Sequence, residues 1–356
     1  MFITIHGMDQ DHVEGGAAGS AGGRPTIADV ARLAGVSKAT VSRVLNESAR
    51  VSPDTRAAVQ RAIGSVGYTE SWQAKSLATG RAGAIGVIIT EPFDEVHIDP
   101  TFATVLRGVY DRLVDTPLVP ILLQASSEAE RHKAMEFLRR GGVDAVIHLT
   151  PYIDEGLLAQ LAQQGCPTVV VGRFESATRL GFSSVFSDDI LGARLAARHA
   201  AQQGRTRPLI VVGPRNNPAS TERVEGYLSV YTAVAGESVE ERVHFGGWDE
   251  DHGWACVGGA LARGVRIDVV LAGSDRIARG ALRALAEAGL AVPEDVAVIG
   301  FDNHAVSRRT LPPLTTVEQP LRHEGGVAVE LALELLEGDE PRTIVLPMHL
   351  VTRLSG

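Results

Sequence analysis

The sequence predicts an α/β protein in which a small all-α domain at the N-terminus precedes a larger body of two doubly wound parallel-sheet subdomains. Two observations carry this prediction. Residues 26–46 hold two short amphipathic helix patterns separated by a turn. From residue 85 onward, short runs rich in β-branched residues alternate with helical patterns, as in parallel sheets that are covered on both faces. The 356 residues leave room for two or three units with complete cores.

Capping and turn residues mark the first two helices as a helix-turn-helix. Thr26 precedes the first helix, and Asp29 takes the carboxylate position of a capping box. Gly35 stands where a left-handed residue ends a helix, and Ser37 can cap the second helix. One face of the second helix is small, polar and basic, which suits the major groove of DNA, although an ordinary solvated helix pair is the alternative. The residues of that face are Lys38, Ala39, Thr40, Ser42 and Arg43.

The charge distribution supports a nucleic-acid partner for this region only. The formal net charge of the chain is -9, which taken alone would argue against DNA binding. Residues 24–81, however, carry nine Lys or Arg against four Asp or Glu. A basic module on an acidic body can bind phosphates locally while the body stays soluble.

Composition excludes several other classes of protein. Cys166 and Cys256 have no paired spacing and no histidine at metal distance, which predicts buried thiols in a reducing cytoplasm, no metal and no cofactor. No run of about 18 apolar residues is present, so no membrane span is expected. Residues 1–23 lack the apolar core of a signal peptide and are predicted to be a disordered leader. We therefore expect a cytoplasmic, nucleoid-associated protein.

The predicted body carries two groups of strands, which indicates two similar halves with a cleft between them. In such sheets ligands bind beyond the carboxyl ends of the strands. The predicted strands are residues 85–89, 119–123, 145–149, 168–171, 209–212, 269–272 and 296–301.

Residues 26–46 resemble the DNA-reading module of the lactose-repressor (LacI/GalR) family of bacterial transcription regulators. The match continues through 51–56, where Pro53 opens a third helix, and through the body in the order 273–275, 300–302 and 312–320. The resemblance implies a periplasmic-binding-protein-like effector domain whose first subdomain spans roughly 84–187 and 321–345. It also implies a homodimer on a near-palindromic double-stranded DNA operator and a small-molecule effector. The implied domains are a leader (1–23), a helix-turn-helix DNA-binding domain (24–69), a hinge helix and linker (70–82), and an effector-binding and dimerisation domain (83–356).

The resemblance also assigns DNA contacts. Lys38 and Ala39 match the pair that sets operator preference, and Arg43 is a candidate base or phosphate contact, with a solvated charge as the alternative for both cations. Leu77 matches the leucine that a hinge helix inserts between base steps in the minor groove. Glu70-Ser71 stands where the family usually has Pro-Asn, a departure that leaves open how strongly the hinge helix folds on DNA. The other candidate DNA contacts are Thr26, Ser37, Thr40, Ser42, Asn46, Thr55 and Arg56.

The residues that match the family's effector site are Arg173, Arg223, Trp248, Asp275 and Asp302. Carboxylates and guanidinium groups together can satisfy neighbouring hydroxyls, and an indole suits the apolar face of a sugar ring. Each has a structural alternative: a helix N-cap for Asp275, a loop brace for Asp302, surface ion pairs for the arginines and core packing for Trp248. Further candidates are Phe174, Gln319 and Ser274, the last at a position where the family often has Asn.

The predicted function is a repressor of sugar-uptake or catabolic genes that a sugar releases from DNA. A nucleoside effector, a co-repressor and ligand-responsive activation remain open. An exported sugar-binding protein would share the two-lobed body but would carry a signal sequence and no DNA module. A dehydrogenase would need Gly-x-Gly-x-x-Gly after the first strand, and residues 90–95 contain no glycine. With no Walker loop, His-Glu-x-x-His or nucleophile elbow either, the chain is not expected to be an enzyme.

Overall fold

A computed structural model of the chain describes residues 25–45, 50–69, 80–149, 152, 155–174, 176–234 and 239–356. The predicted leader at 1–23 and the predicted DNA contacts Asn46 and Leu77 lie outside these residues, as does most of the predicted hinge. The chain forms two compact units that divide between Gly80 and Arg81. Among the described helices, none is both long and apolar enough to cross a membrane.

The N-terminal unit consists of α1 (Ile27–Ala34), α2 (Lys38–Leu45) and α3 (Pro53–Val66). The predicted caps are confirmed. Asp29 accepts a hydrogen bond from the Thr26 N–H at 3.0 Å, Gly35 has a left-handed φ of 67°, and Ser37 Oγ accepts from the Thr40 N–H at 3.1 Å. Small apolar side chains from all three helices form the core, namely Val30, Ala31, Val41, Val44, Val59 and Ala62.

The second unit alternates strands and helices along its length. Its strands are β1 (Ala84–Ile89), β2 (Val119–Gln124), β3 (Ala145–Leu149), β4 (Thr168–Val171), β5 (Ser183–Ser187), β6 (Pro208–Val212), β7 (Val243–Phe245), β8 (Val269–Ala272), β9 (Ala297–Asp302), β10 (Thr315–Glu318), β11 (Thr343–Leu346) and β12 (His349–Val351). Its α-helices are α4 (Phe93–Ile98), α5 (Pro100–Leu113), α6 (Glu128–Arg139), α7 (Glu155–Gln164), α8 (Ser176–Arg179), α9 (Asp189–Gln202), α10 (Pro218–Val234), α11 (Glu250–Ala262), α12 (Asp275–Glu287) and α13 (Leu321–Glu337).

Within the described residues, the strands form two six-stranded sheets, and each sheet is the centre of one lobe. The first lobe has the strand order β11-β5-β4-β3-β1-β2, and the second has β12-β10-β9-β8-β6-β7. All described pairings are parallel except that of β12 with β10. Helices α5 and α13 cover one face of the first sheet, and α6 and α7 cover the other. Helices α9 and α10, and α11 and α12, cover the second sheet in the same way.

The chain passes between the lobes three times: after β5, after β10 and between β11 and β12. The first two crossings fall at residues 188 and 319–320, close to the boundaries that the resemblance implies. Helix α13 therefore belongs to the first lobe although it follows a strand of the second. Both thiols are free and half-buried, and burial raises the pKa of Cys166 to about 11.

Glycines allow α5 and α13 to approach backbone to backbone. A Cβ atom on Gly108 would overlap the carbonyl oxygen of Arg322, and one on Gly325 would overlap the carbonyl oxygen of Val105. Close packing of this kind sets the distance between the two helices. The N-terminal turn of α13, which carries Glu324, is consequently positioned by this contact with α5.

Candidate functional site

The exposed face of α2 presents two cations. Lys38, Ala39 and Arg43 are exposed, while Val41 and Val44 on the opposite face are buried. Among the described residues, neither Lys38 nor Arg43 has an ion-pair partner. Both side chains are therefore available to a polyanion.

Five hydroxyl-bearing residues of the described part of this unit, Thr26, Ser37, Thr40, Ser52 and Thr55, form hydrogen bonds at helix caps. Ser37 Oγ lies 2.9 Å from Thr40 Oγ1, and Ser52 Oγ donates to Thr55 Oγ1 at 2.9 Å. Thr26 Oγ1 donates to Asp29 at 2.7 Å. A phosphate contact from Ser37, Thr40 or Thr55 would share a hydroxyl with a cap. Ser42 and Arg56 are half-buried, and the assignment of all these residues to DNA contact stays a prediction.

A cavity of about 500 Å³ lies between the lobes at the carboxyl ends of their strands. This volume is typical of small-molecule sites, and the position is the one where open parallel sheets bind ligands. Seven of the eight predicted effector residues line the cavity, namely Arg173, Phe174, Arg223, Trp248, Ser274, Asp302 and Gln319.

The Arg223 guanidinium organises the wall contributed by the second lobe. Its side chain is 5% exposed, and its Nε donates to Asp189 Oδ1 at 2.7 Å. Its Nη1 donates to the carbonyl oxygen of Gly273 and lies 3.5 Å from Asp302 Oδ1. The guanidinium also lies 3.9 Å from the centre of the Phe301 ring. Arg223 is thus a buried cation that joins α9, β8 and β9.

Asp302 ends β9 in an unusual conformation that directs its side chain to the cavity. Its φ of 99° is rare for a residue other than glycine, and Asn303 also has a positive φ of 55°. Gln319 Nε2 donates to Asp302 Oδ1 at 2.5 Å. Burial raises the pKa of the Asp302 carboxyl, while His304 and Arg223 oppose that rise. Backbone strain of this kind is concentrated at binding sites.

Asp275 lies behind the cavity wall. It is fully buried, its Oδ2 accepts from the His304 N–H at 2.7 Å, and its Oδ1 accepts from Thr316 Oγ1 at 2.5 Å. Both oxygens therefore brace the loop after β9 and strand β10. The cap of α12 is Ser274, whose Oγ accepts from the Ile277 N–H at 3.1 Å. Because Asp275 does not line the cavity, a direct ligand contact would need a rearrangement of that loop.

Contacts between side chains on opposite sides of the cleft join the lobes in the described part of the chain. Arg173 Nη1 lies 3.5 Å from Glu222 Oε1, and Arg276 Nη1 lies 3.6 Å from Asp99 Oδ2. Thr101 Oγ1 lies 3.5 Å from an imidazole nitrogen of His304. A change in the separation of the lobes would break or shorten these contacts, so they report on cleft closure.

Sequence reasoning missed most of the acidic residues of the cavity. Among the described residues, the cations of the lining are Arg173, Arg223 and Arg276, with no lysine or histidine. Burial raises the pKa of Glu222 to about 7, although Arg173 lies nearby. Of the acids that sequence reasoning missed, Glu91 and Glu95 are the ones that closely follow a predicted strand, β1. The acidic lining residues are Glu91, Glu95, Asp99, Asp189, Glu222, Asp249, Asp302 and Glu324.

Comparison with known proteins matches both units. The family described as bacterial regulatory proteins, lacI family, matches residues 26–71, and a periplasmic binding protein-like domain matches 197–355. The HTH-type transcriptional regulator CelR of Thermobifida fusca is 35% identical over 335 residues, which are 94% of this chain and 98% of CelR.

The chain belongs to the lacI family.

Solved structures agree with this membership. A CelR–cellobiose complex has a TM-score of 0.73 at 34% identity and covers 94% of this chain and 100% of that chain. A lac repressor dimer bound to operator and the anti-inducer ONPF has a TM-score of 0.80 at 26% identity, covering 94% and 99%. As a lacI-family member, the chain is a DNA-binding transcriptional regulator and not an enzyme.

Proposed function

We propose that the chain is a homodimeric repressor of sugar-uptake or catabolic genes, released from a double-stranded DNA operator when a sugar binds in the cavity. The observation that carries this proposal is the cavity wall. There Asp302, Gln319 and the Arg223 guanidinium offer hydrogen-bond donors and acceptors beside Trp248. This combination suits a ring that has polar edges and an apolar face. The CelR relative, whose complex contains cellobiose, supports the same ligand class.

The DNA end of the proposal assigns one operator half-site to each protomer. Lys38, Ala39 and Arg43 of α2 would meet base edges in the major groove, and the residues at 70–82 would form the hinge. The lac repressor, solved as a dimer on operator, supports a symmetric arrangement. Residues 83–356 would bind the effector and hold the dimer together. The protein would act in the cytoplasm, on the nucleoid.

The charges of the cavity favour an uncharged sugar. Acidic side chains outnumber arginines in the lining, and two of the arginines face carboxylates of the opposite lobe. A phosphate or carboxylate on the ligand would meet like charges in a partly desolvated site, which weakens binding. Hydroxyl groups can instead donate to these carboxylates.

Ligand binding would act on DNA affinity through the two lobes. A ligand that contacts both walls changes the relative population of open and closed lobes, because it binds one arrangement better than the other. The Arg173–Glu222 and Arg276–Asp99 pairs would be remade in the new arrangement. Coupling of this kind is reciprocal, so operator DNA would alter sugar affinity by the same factor.

A thermal-shift panel on the full chain tests the ligand class. We expect cellobiose to raise the unfolding midpoint, because a ligand that binds only the folded state stabilises it, and glucose 6-phosphate to give no shift. Ribose and guanosine complete the panel. A shift with guanosine and none with either neutral sugar would contradict the sugar assignment and leave the regulator assignment in place.

A further inference from the structure

Glu324 carries a buried carboxyl in the wall of the cavity. It lies in the first turn of α13, is 6% exposed, and is one of the cavity-lining residues. Within the described part of the chain, its carboxyl accepts one hydrogen bond, which Ser187 Oγ donates to Oε2 at 3.0 Å. Among the described residues, no lysine or arginine pairs with it.

The surroundings of Glu324 disfavour the charged form of its carboxyl. Burial raises the pKa of Glu324 to about 8; the Ser187 hydrogen bond opposes the rise, and the nearby Asp189 carboxylate adds to it. Asp189 is itself committed to Arg223, at 2.7 Å. The next residue, Gly325, packs directly against the backbone of α5, so the position of Glu324 is set by the contact between the two helices. A methionine or leucine would fit such a site at lower free-energy cost.

A buried polar group lowers the stability of the fold unless it forms hydrogen bonds. When such a group faces a cavity, a ligand bound in that cavity can supply them. A carboxylate has about four acceptor positions, and a protonated carboxyl has a donor as well. Ser187 is the one donor to this carboxyl among the residues that the structure describes, and its bond uses only part of this capacity. A sugar hydroxyl both donates and accepts, so it complements this carboxyl in either protonation state.

We infer that Glu324 is a specificity-determining residue of the cleft, which exchanges hydrogen bonds with a hydroxyl of an uncharged sugar bound in the cavity. The inference rests on the proposed sugar-binding function and adds to it a residue that selects among sugars. A ligand without a hydroxyl at this point would leave the carboxyl buried and poorly bonded. A ligand with an anionic group there would face both Glu324 and Asp189.

The test compares Glu324→Met and Glu324→Gln with wild type in the full chain. Glu337→Met is the matched control, since Glu337 is exposed at the end of the same helix. We expect Glu324→Met to weaken cellobiose binding at least about tenfold by calorimetry, because it removes the hydrogen-bonding partner of a sugar hydroxyl in a buried site. Glu324→Gln should lose less, since an amide still donates and accepts, and Glu337→Met should bind as wild type does.

The unfolding midpoint without ligand separates recognition from a structural role. We expect this midpoint in Glu324→Met to equal or exceed that of wild type, because a buried carboxyl has been removed. A lower midpoint, or failure of Glu324→Met to fold while Glu324→Gln folds, would assign the carboxyl a structural role and overturn the inference. Wild-type cellobiose affinity in Glu324→Met would also overturn it while leaving the sugar function intact. A wild-type chain that binds neither cellobiose nor ribose contradicts the sugar function itself, and the inference with it.

Discussion

Replacing Arg223 by methionine is expected to remove sugar binding and to lower the free energy of unfolding by about 3–5 kcal/mol. The substitution keeps a similar length of side chain but leaves the Asp189 and Asp302 carboxyls buried without their cation. It also removes the donor to the Gly273 carbonyl and the stacking on Phe301. Urea unfolding monitored by circular dichroism, together with calorimetry on cellobiose, measures both effects.

Arg173→Met is the matched control for this prediction. Arg173 also lines the cavity, but its side chain is 47% exposed and its pairing with Glu222 spans 3.5 Å. Such a pair contributes about 1 kcal/mol or less, so the stability of this variant should stay close to that of wild type. Equal stability losses in the two variants would show that the buried network around Arg223 does not hold the lobe together.

Lys38→Ala and Arg43→Ala are each expected to weaken operator binding by about 1–3 kcal/mol, which is roughly a 5- to 150-fold loss. Both cations are exposed on α2, and neither packs in the core of its unit. Their removal should therefore change DNA affinity and not folding. Lys38→Ala should also relax base preference at one operator position, because a base-edge contact discriminates between sequences and a phosphate contact does not.

Fluorescence anisotropy on an operator obtained by sequence selection measures these losses at several salt concentrations. Arg32→Ala is the control, since Arg32 is an exposed cation of the same unit that pairs with Asp29. It should lose much less affinity than either α2 variant. An unchanged affinity and salt slope in Lys38→Ala or Arg43→Ala would show that the residue does not contact DNA.

Local signals were enough to predict the helix-turn-helix and the central strands. The caps at Thr26, Gly35 and Ser37 depend on neighbours within a few residues, and the structure confirms them. The buried strands β1, β3, β4, β6, β8 and β9 are rich in β-branched residues because helices cover both faces. β2 was also found, although it lies at a sheet edge.

The strands that were missed lack this pattern. β5 reads Ser-Ser-Val-Phe-Ser, and its serines are buried because they form hydrogen bonds: Ser184 Oγ lies 2.9 Å from Thr343 Oγ1. β7, β11 and β12 are edge strands of three or four residues. The residues of β10 were recognised only as part of a family signature and were not predicted to form a strand. Short, partly polar segments form strands because a neighbouring strand of the sheet pairs with them. A short window of sequence does not contain that neighbour, so these strands could not be predicted locally.

Some cavity residues could be predicted from local sequence, and others could not. Arg173, Ser274 and Asp302 lie at or just after predicted strands, so the geometry of a parallel sheet brings them together. Glu324 and its partner Ser187 are 137 residues apart in sequence. The contribution of Glu324 depends on the close approach of α13 to α5, which is a tertiary property of the glycines between them.

The affinity of the full chain for its operator, measured with and without saturating cellobiose, tests sugar-responsive release most directly. We expect cellobiose to weaken operator binding by about 5- to 150-fold, and operator DNA to weaken cellobiose binding by the same factor. Equal operator affinity in both conditions, at a cellobiose concentration that calorimetry shows to fill the cleft, would contradict it.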